Sequence, residues 1–571
     1  MRRFFRTASI VTAVSLGALQ AVPALAEDRG LAGSYLAARQ ASMFNDYKAA
    51  SGYFLTALRR DGRNPALLES AILSLTNLGR MERAVPIARQ METYGINSQI
   101  AQMILLADQL KTGQFKAALD DLAAGRSVGP LVDGLVKAWG LMALEDTVGA
   151  MAAFDEAAQA TGLQAFGMYH KALALAMSGD FEGADRIMFS EARGPLRMSR
   201  RGVYASAQVL SQLDRNEDAA ELIRVSFGND LDLSLSDLLA RLEAGEKLPF
   251  SFVQTPTEGL AEIFYTVAGA LRGEASGGYT LMYSRIAEQL RPDHTDAILL
   301  TAALLEAQDQ YELATEAYDR VSRDDPAFHS AELGRAEALR RSGDFEAATE
   351  VLQQLTETHG SLPVVFVTLG DILRQRELYE ASTEAYDKAV ALFDAPRAEQ
   401  WIVYYARGIT HERRQQWDQA EADFRNALVL QPGQPQVLNY LGYSFVERGV
   451  NFDEALAMIE QAVAGQPDSG YITDSLGWVL YRLGRYSEAV GHMERAAELM
   501  PVDSIVNDHL GDVYWAVGRH TEARFQWHRA LSFDPEEAEA ERIRRKLEVG
   551  LDVVLQEAGE PPLDVASTDD G

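Results

Sequence analysis

The sequence predicts an all-α solenoid of about fourteen helix pairs arranged in two segments. Three observations predict it. Leu476, Gly477, Leu480, Gly484, Tyr486, Ala489, Met493, Ala496 and Pro501 form a pattern that recurs 34 residues later as Leu510, Gly511, Tyr514, Gly518, His520, Ala523, Trp527, Ala530 and Pro535. Shifted back by 35, it recurs as Leu441, Gly442, Phe445, Gly449, Phe452, Ala455, Ile459, Ala462 and Pro467. The chain of 571 residues, 47% hydrophobic, is too long for one ordinary domain and apolar enough to bury a large core. Its glycines and prolines fall at regular offsets, so they punctuate helices rather than prevent them.

At the N-terminus, Arg2, Arg3 and Arg6 precede a 15-residue apolar segment, 8–22, and Ala24 and Ala26 supply small residues before acidic Glu27 and Asp28. This is the pattern of a secretory signal peptide, residues 1–26, cleaved after Ala26. The Arg2-Arg3 pair fits either the general secretory or the twin-arginine route. The segment is too short and too polar, with Thr12, Ser15 and Gln20, to serve as a membrane span.

Residues 27–225 are expected to form degenerate helix pairs. Ala38, Ile72, Leu106, Ala138 and Ala172 hold the place of Gly477 at intervals of 34, 34, 32 and 34. Gly79, Gly113 and Gly179 stand where Gly484 ends its helix, and another pair lies near Ala207. Residues 226–258 do not fit the repeat. DLSLSDLLARLEAG reads as one helix, and LPFSFVQTPTE as an extended connector broken by Pro249 and Pro256. A hinge and an irregular rigid unit both fit this junction.

From 259 to 535 the pattern resumes at Ala268, Ala302 and Ala336 and sharpens at Gly370 and Gly408. Residues 536–557 open with proline and acids beforehand, as a helix start should, and are expected to cap the last pair. Residues 558–571, rich in Pro, Asp and Gly, are expected to be disordered.

The pattern resembles the tetratricopeptide repeat, a 34-residue helix–turn–helix. Gly477 sits where its helix meets a neighbour too closely for a side chain. Gly484 ends that helix in a left-handed turn. That is why SLGWVLYRLGRYSEAV tolerates glycines that each cost about 1 kcal/mol in a helix interior.

The 53 Lys and Arg against 83 Asp and Glu give a formal charge of −30, which excludes a general nucleic-acid binder and a polybasic membrane surface. The chain has no cysteine, which excludes thiolate metal sites, disulfides, thiol catalysis and lipidation of an N-terminal cysteine. HExxH, P-loop, GxSxG and GxGxxG motifs are absent. Nine scattered histidines and chance acidic pairs suggest neither metal ligation nor general acid–base work. The expectation is a protein that is not an enzyme and carries no cofactor or metal.

In this repeat the fifth, ninth and twelfth residues of the first helix line the concave face, since i, i+4 and i+3 neighbours share one side. They are Asn439 and Tyr443, then Asp474, Trp478 and Tyr481, then Asp508, Asp512 and Trp515, with Tyr405 from the preceding unit. Aromatics beside amides and carboxylates suit a protein or peptide partner held in an extended form. The alternative is that these aromatics pack in the core. Read this way the groove is acidic, and it should disfavour a free carboxylate ligand.

The segments LNYLGYSFVERG, DSLGWVLYRLGRYSEAV and NDHLGDVYWAVGR resemble large exported bacterial tetratricopeptide proteins. Some of these are outer-membrane lipoprotein adaptors that present substrates to a periplasmic carboxyl-terminal processing protease. The resemblance, close over 436–535 and loose elsewhere, implies a periplasmic scaffold or adaptor, with such a protease and its substrates as partners. The missing lipidation cysteine departs from the lipoprotein members. A second expectation is a scaffold for envelope polysaccharide assembly or export, with sugars stacked on Trp478 and Trp515.

Overall fold

The computed structural model describes residues 31–189, 199–228, 231–560 and 563; the expected signal peptide and most of the tail lie outside them. The described residues form 31 α-helices and no strand. None of these helices is long and apolar enough to cross a membrane. The chain divides into two compact units, Met1–Ser342 and Gly343–Gly571. The irregular stretch of the sequence, 226–258, falls inside the first unit.

The first unit opens with six helix pairs: α1 (Leu31–Met43) and α2 (Tyr47–Leu58), α3 (Pro65–Asn77) and α4 (Met81–Thr93), α5 (Gln99–Lys111) and α6 (Phe115–Ala123), α7 (Pro130–Ala143) and α8 (Thr147–Gln159), α9 (Gln164–Met177) and α10 (Phe181–Met188), α11 (Arg200–Gln212) and α12 (Asn216–Phe227). The unpaired α13 (Leu233–Glu243) follows, then α14 (Pro256–Leu271), α15 (Gly277–Leu290), α16 (Thr295–Glu306), α17 (Tyr311–Tyr318) and α18 (Phe328–Arg341). Side chains cap several starts. The Asn64 carboxamide accepts from Leu67 N at 3.3 Å ahead of Pro65, and Asp232 accepts from Leu235 N at 2.9 Å.

The connector between α13 and α14 is pinned along α11. Ser251 N donates to the Gln208 side-chain oxygen at 3.0 Å, and Leu248 N donates to Ser211 Oγ at 2.9 Å. Leu248 and Val253 are buried, so this extended stretch belongs to the core.

The inner wall of the first six pairs is already filled. Helix α14 packs against α7 and α9, and α15 against α3 and α5, which are all first helices of their pairs. A Cβ on Gly259 would meet the Trp139 indole at 2.5 Å, so only glycine admits this approach. Asn77 Nδ2 donates to Gly278 O at 2.9 Å, and Lys111 Nζ to Gln289 Oε1 at 2.7 Å. Buried charges clamp the far end. Arg201 bonds Glu262 through Nη2 at 2.6 Å and Nε at 3.1 Å and also pairs with Asp296. Burial pushes the Glu262 carboxyl up, but Arg201 and His294 outweigh it and hold it well below the usual carboxylate range.

The second unit holds α19 (Phe345–His359), α20 (Pro363–Gln375), α21 (Tyr379–Ala391), α22 (Trp401–Arg413), α23 (Trp417–Leu430), α24 (Pro435–Glu447), α25 (Phe452–Gly465), α26 (Gly470–Arg482), α27 (Tyr486–Leu499), α28 (Ser504–Ala516), α29 (His520–Leu531), α30 (Glu537–Val549) and α31 (Leu551–Ala558). Within the units the described helices form thirteen successive pairs, eight among α1–α12 and α14–α17 and five among α20–α29, roughly the repeat count expected. A Cβ on Gly477 would collide with Met493 of α27, and one on Gly442 would meet Ile459 Cγ1 of α25 at 2.8 Å. The close neighbour of each repeat glycine is thus the second helix of its own pair. Gly484 has φ +74°, the left-handed turn expected of it.

The single capping helix expected over 536–557 is two helices, α30 and α31, broken at Gly550 with φ +88°. The break lets the backbone come against the Trp515 ring, which a Cβ on Gly550 would meet at 2.7 Å.

Candidate functional site: an open cleft on the second unit

The first helices of the strong repeats, α22, α24, α26 and α28, bring the nine expected groove residues to one wall, but only part of that wall is open. Its C-terminal half is covered by the chain itself. Lys546 of α30 is fully buried, with Nζ 2.8 Å from both Asp508 oxygens and 2.7 Å from both Asp512 oxygens. Asp512 also accepts from Trp527 Nε1 at 2.9 Å. Trp515 donates its indole N–H to Asp552 of α31 at 2.9 Å and stacks on His520 at 4.1 Å. Asp508, Asp512 and Trp515 are therefore packing and pairing residues. The reason is a segment too far along the chain for the helical offsets of α28 to reveal.

The middle of the wall is closed differently. Trp478 is 6% exposed and stacks with Tyr481 at 4.8 Å and with His509 at 4.0 Å. Its N–H is spent on Glu447 Oε1 at 3.0 Å. Asp474 pairs with His509 Nδ1 at 3.1 Å. Burial pulls His509 down, but Asp474, Asp508 and Asp512 outweigh it and raise its pKa above the usual histidine value. Asp474, Trp478 and Tyr481 thus follow the core alternative. The acids of this part of the expected groove are met by the chain itself, Asp508 and Asp512 by Lys546 and Asp474 by His509.

Of the remaining three residues, Asn439 and Tyr443 border an open cleft, and Tyr405 is packed among aromatics. Tyr405 is half-buried, edge-on to Tyr440 at 5.7 Å. Burial, with a smaller contribution from Tyr471, pushes its hydroxyl up to about 12. Asn439 and Tyr443 line a cleft of about 550 Å³ together with Tyr440, Ser444, Glu447 and Arg448 of α24, Glu412 and Arg413 of α22, Gln415, Trp417 and Tyr471. Tyr471, at the start of α26, is 61% exposed.

Asn439 is 3% exposed, and its Oδ1 has no hydrogen-bond partner. A buried acceptor left unmet costs about 1–3 kcal/mol, so a ligand that supplies an N–H recovers that cost. The cleft's acids are already engaged. Glu412 accepts from the Tyr440 hydroxyl at 3.3 Å, and Glu447 from Trp478. Arg448 lies over the Trp417 ring, 4.5 Å from its centre. The helical offsets missed Tyr440, Trp417, Arg448 and Tyr471. A wider apolar-aromatic stripe on α24 could have found Tyr440; Arg448 directly follows that helix, and Trp417 and Tyr471 come from neighbouring helices.

A family model described as tetratricopeptide repeat matches residues 287–363, 367–435, 405–469, 441–504 and 476–538. A TPR repeat-containing protein, PA4667, of Pseudomonas aeruginosa is 25% identical over 159 residues, 28% of this chain and 26% of that protein. The match thus spans about a quarter of the relative's length. Among solved structures, the APC/C hetero-tetramer Cut9–Hcn1 is similar at 17% identity and a TM-score of 0.38, covering 92% of this chain and 97% of that one. YrrB, titled a TPR protein with an unusual peptide-binding site, is similar at 19% identity and a TM-score of 0.28, covering 34% and 99%. MamA is similar at 22% and 0.27, covering 29% and 94%. Over residues 287–363 and 367–538, the span that forms the strong repeats and carries the open cleft, the chain matches the tetratricopeptide-repeat model.

Proposed function

We propose that the second unit holds an extended segment of a partner protein in the cleft around Asn439, and that the chain acts as a non-enzymatic scaffold. Tetratricopeptide arrays present concave surfaces of this kind to protein and peptide partners. The observation that carries the proposal is the buried, unpartnered Asn439 Oδ1 at an aromatic-lined cleft. That acceptor matches the N–H of a peptide group. Tyr443, Tyr471 and Trp417 supply contact area with hydroxyl or N–H tips.

The test is in-cell photocrosslinking from position 471, which is exposed at the cleft, with position 478 as the buried control. A defined protein adduct at 471 that disappears in Asn439→Ala is expected. Absence of any protein adduct at 471 overturns the proposal.

The residues before Ala26 support export to the periplasm with cleavage after that residue. Mass spectrometry of the chain recovered from a periplasmic fraction should find Glu27 at its start; an intact Met1 overturns this. Delivery of substrates to a carboxyl-terminal processing protease is the sharpest form of the scaffold proposal and rests on the resemblance over 436–535. Co-purification of such a protease with the full chain tests it. The glycan alternative has lost its motive, because the Trp478 and Trp515 rings are stacked and their N–H groups are spent.

A further inference from the structure

We propose that the segment held in the cleft is acidic, with an Asp or Glu side chain set against the guanidinium of Arg448. This rests on the peptide proposal above and names the chemistry that the site selects. The composition of the chain points the other way, since its formal charge is −30 and five carboxyl-bearing positions border or approach this wall. Tertiary contacts offset that expectation locally, and at the cleft Glu412 and Glu447 are balanced by Arg413 and Arg448. Asp474 is spent on His509, and Asp508 and Asp512 on Lys546. Glu447 receives the Trp478 N–H, and Glu412 receives the Tyr440 hydroxyl with Arg413 Nε at 3.7 Å.

Arg448 is different. It is exposed at the end of α24, and no carboxylate among the described residues lies within ion-pair distance of it. The Trp417 ring, 4.5 Å from its guanidinium, holds the cation in place while leaving its N–H edge free for a planar acceptor. A carboxylate matches that edge with two parallel hydrogen bonds. Asn439 then takes the main chain of the same segment, and Tyr443 and Tyr471 take its flanking residues. The negative charge of the whole chain slows the approach of such a ligand but is screened beyond about 10 Å at 0.1 M salt, whereas Arg448 acts at contact.

The experiment uses the full chain and three fluorescein-labelled peptides of one length and one apolar host sequence. Their central pair is Asp-Asp, Asn-Asn or Lys-Lys, and binding is read by fluorescence anisotropy. The Asp-Asp peptide is expected to bind about tenfold more tightly than the Lys-Lys peptide. Arg448→Glu should reverse that order. Arg495→Glu makes the same change of charge at a residue paired with Asp468 and Glu498 outside the cleft, and should leave the order intact. Circular dichroism establishes that both variants are folded. Equal binding of all three peptides, lost in Asn439→Ala, sinks the acidic selectivity and leaves the peptide proposal standing. No binding of any peptide sinks both. Binding that appears only when residues 564–571 are deleted overturns the inference of a partner segment, because the chain's own acidic stretch would then be the occupant.

Discussion

The Lys546 ammonium lies 2.7 Å from both carboxylate oxygens of Asp512, and neither side chain has more than 1% of its surface in contact with solvent. Asp508 completes the cluster at 2.8 Å. Two carboxylates share this one fully buried cation, so its removal leaves Asp508 without it and Asp512 with only Arg542 at 3.8 Å. Lys546→Met should destabilise the second unit by about 3–5 kcal/mol, the range for breaking a buried pair on one side. Urea denaturation followed by tryptophan fluorescence measures this, since Trp515 and Trp527 border the cluster. The triple variant with Asp508→Asn and Asp512→Asn should recover part of the loss. A single variant as stable as the parent would show that the cluster does not hold α30 in place.

His509 makes the stability of this region depend on pH. Its pKa is raised above 6.5 in the folded chain by Asp474, Asp508 and Asp512, against the opposing effect of burial. The folded state therefore binds the proton more tightly than the unfolded state. Its contribution is complete below the ordinary histidine value and is lost as pH rises through the folded one. The urea midpoint of the second unit, taken between about pH 5 and 8, should fall with rising pH, and the slope should shrink in Asp474→Asn. Trp478, stacked on the imidazole, gives a local fluorescence signal for the same titration.

Gly477 faces Met493 across the α26–α27 pair with no room for a methyl group. Gly477→Ala should cost about 1–3 kcal/mol by overpacking, even though alanine favours a helix. Adding Met493→Ala opens the space, so the double variant should lose less than the two single losses combined. A Gly477→Ala protein that gains stability would mean that the pair relaxes at no cost.

In the first unit, Arg201 is the cation between Glu262 and Asp296. Arg201→Met should leave Glu262 to His294 and Asp296 to Arg200, and cost about 3 kcal/mol, the low end for breaking a buried pair. Because Glu262 lies on α14, the loss should appear as faster proteolysis within 244–255, the connector pinned to α11. Unchanged cleavage there would show that α14 is held by its apolar contacts alone.

The sequence by itself determined the helices, their pairing order and the places where glycine and proline end them. These depend on residues a few positions apart, or sixteen apart within one pair, such as Gly477 and Met493, and a repeat writes the same instruction many times. It also brought Asn439 and Tyr443 to the right face, since helical offsets are local geometry. Only the tertiary structure decided which parts of that face stay open. Lys546 meets Asp508 from 38 residues away, Arg201 meets Glu262 from 61, and Asn77 meets Gly278 from 201. Nothing in a helical period encodes such meetings. The physical reason is that a concave wall of apolar and charged side chains is covered wherever the chain can reach it with matching charge and shape, and reach is a property of the folded path.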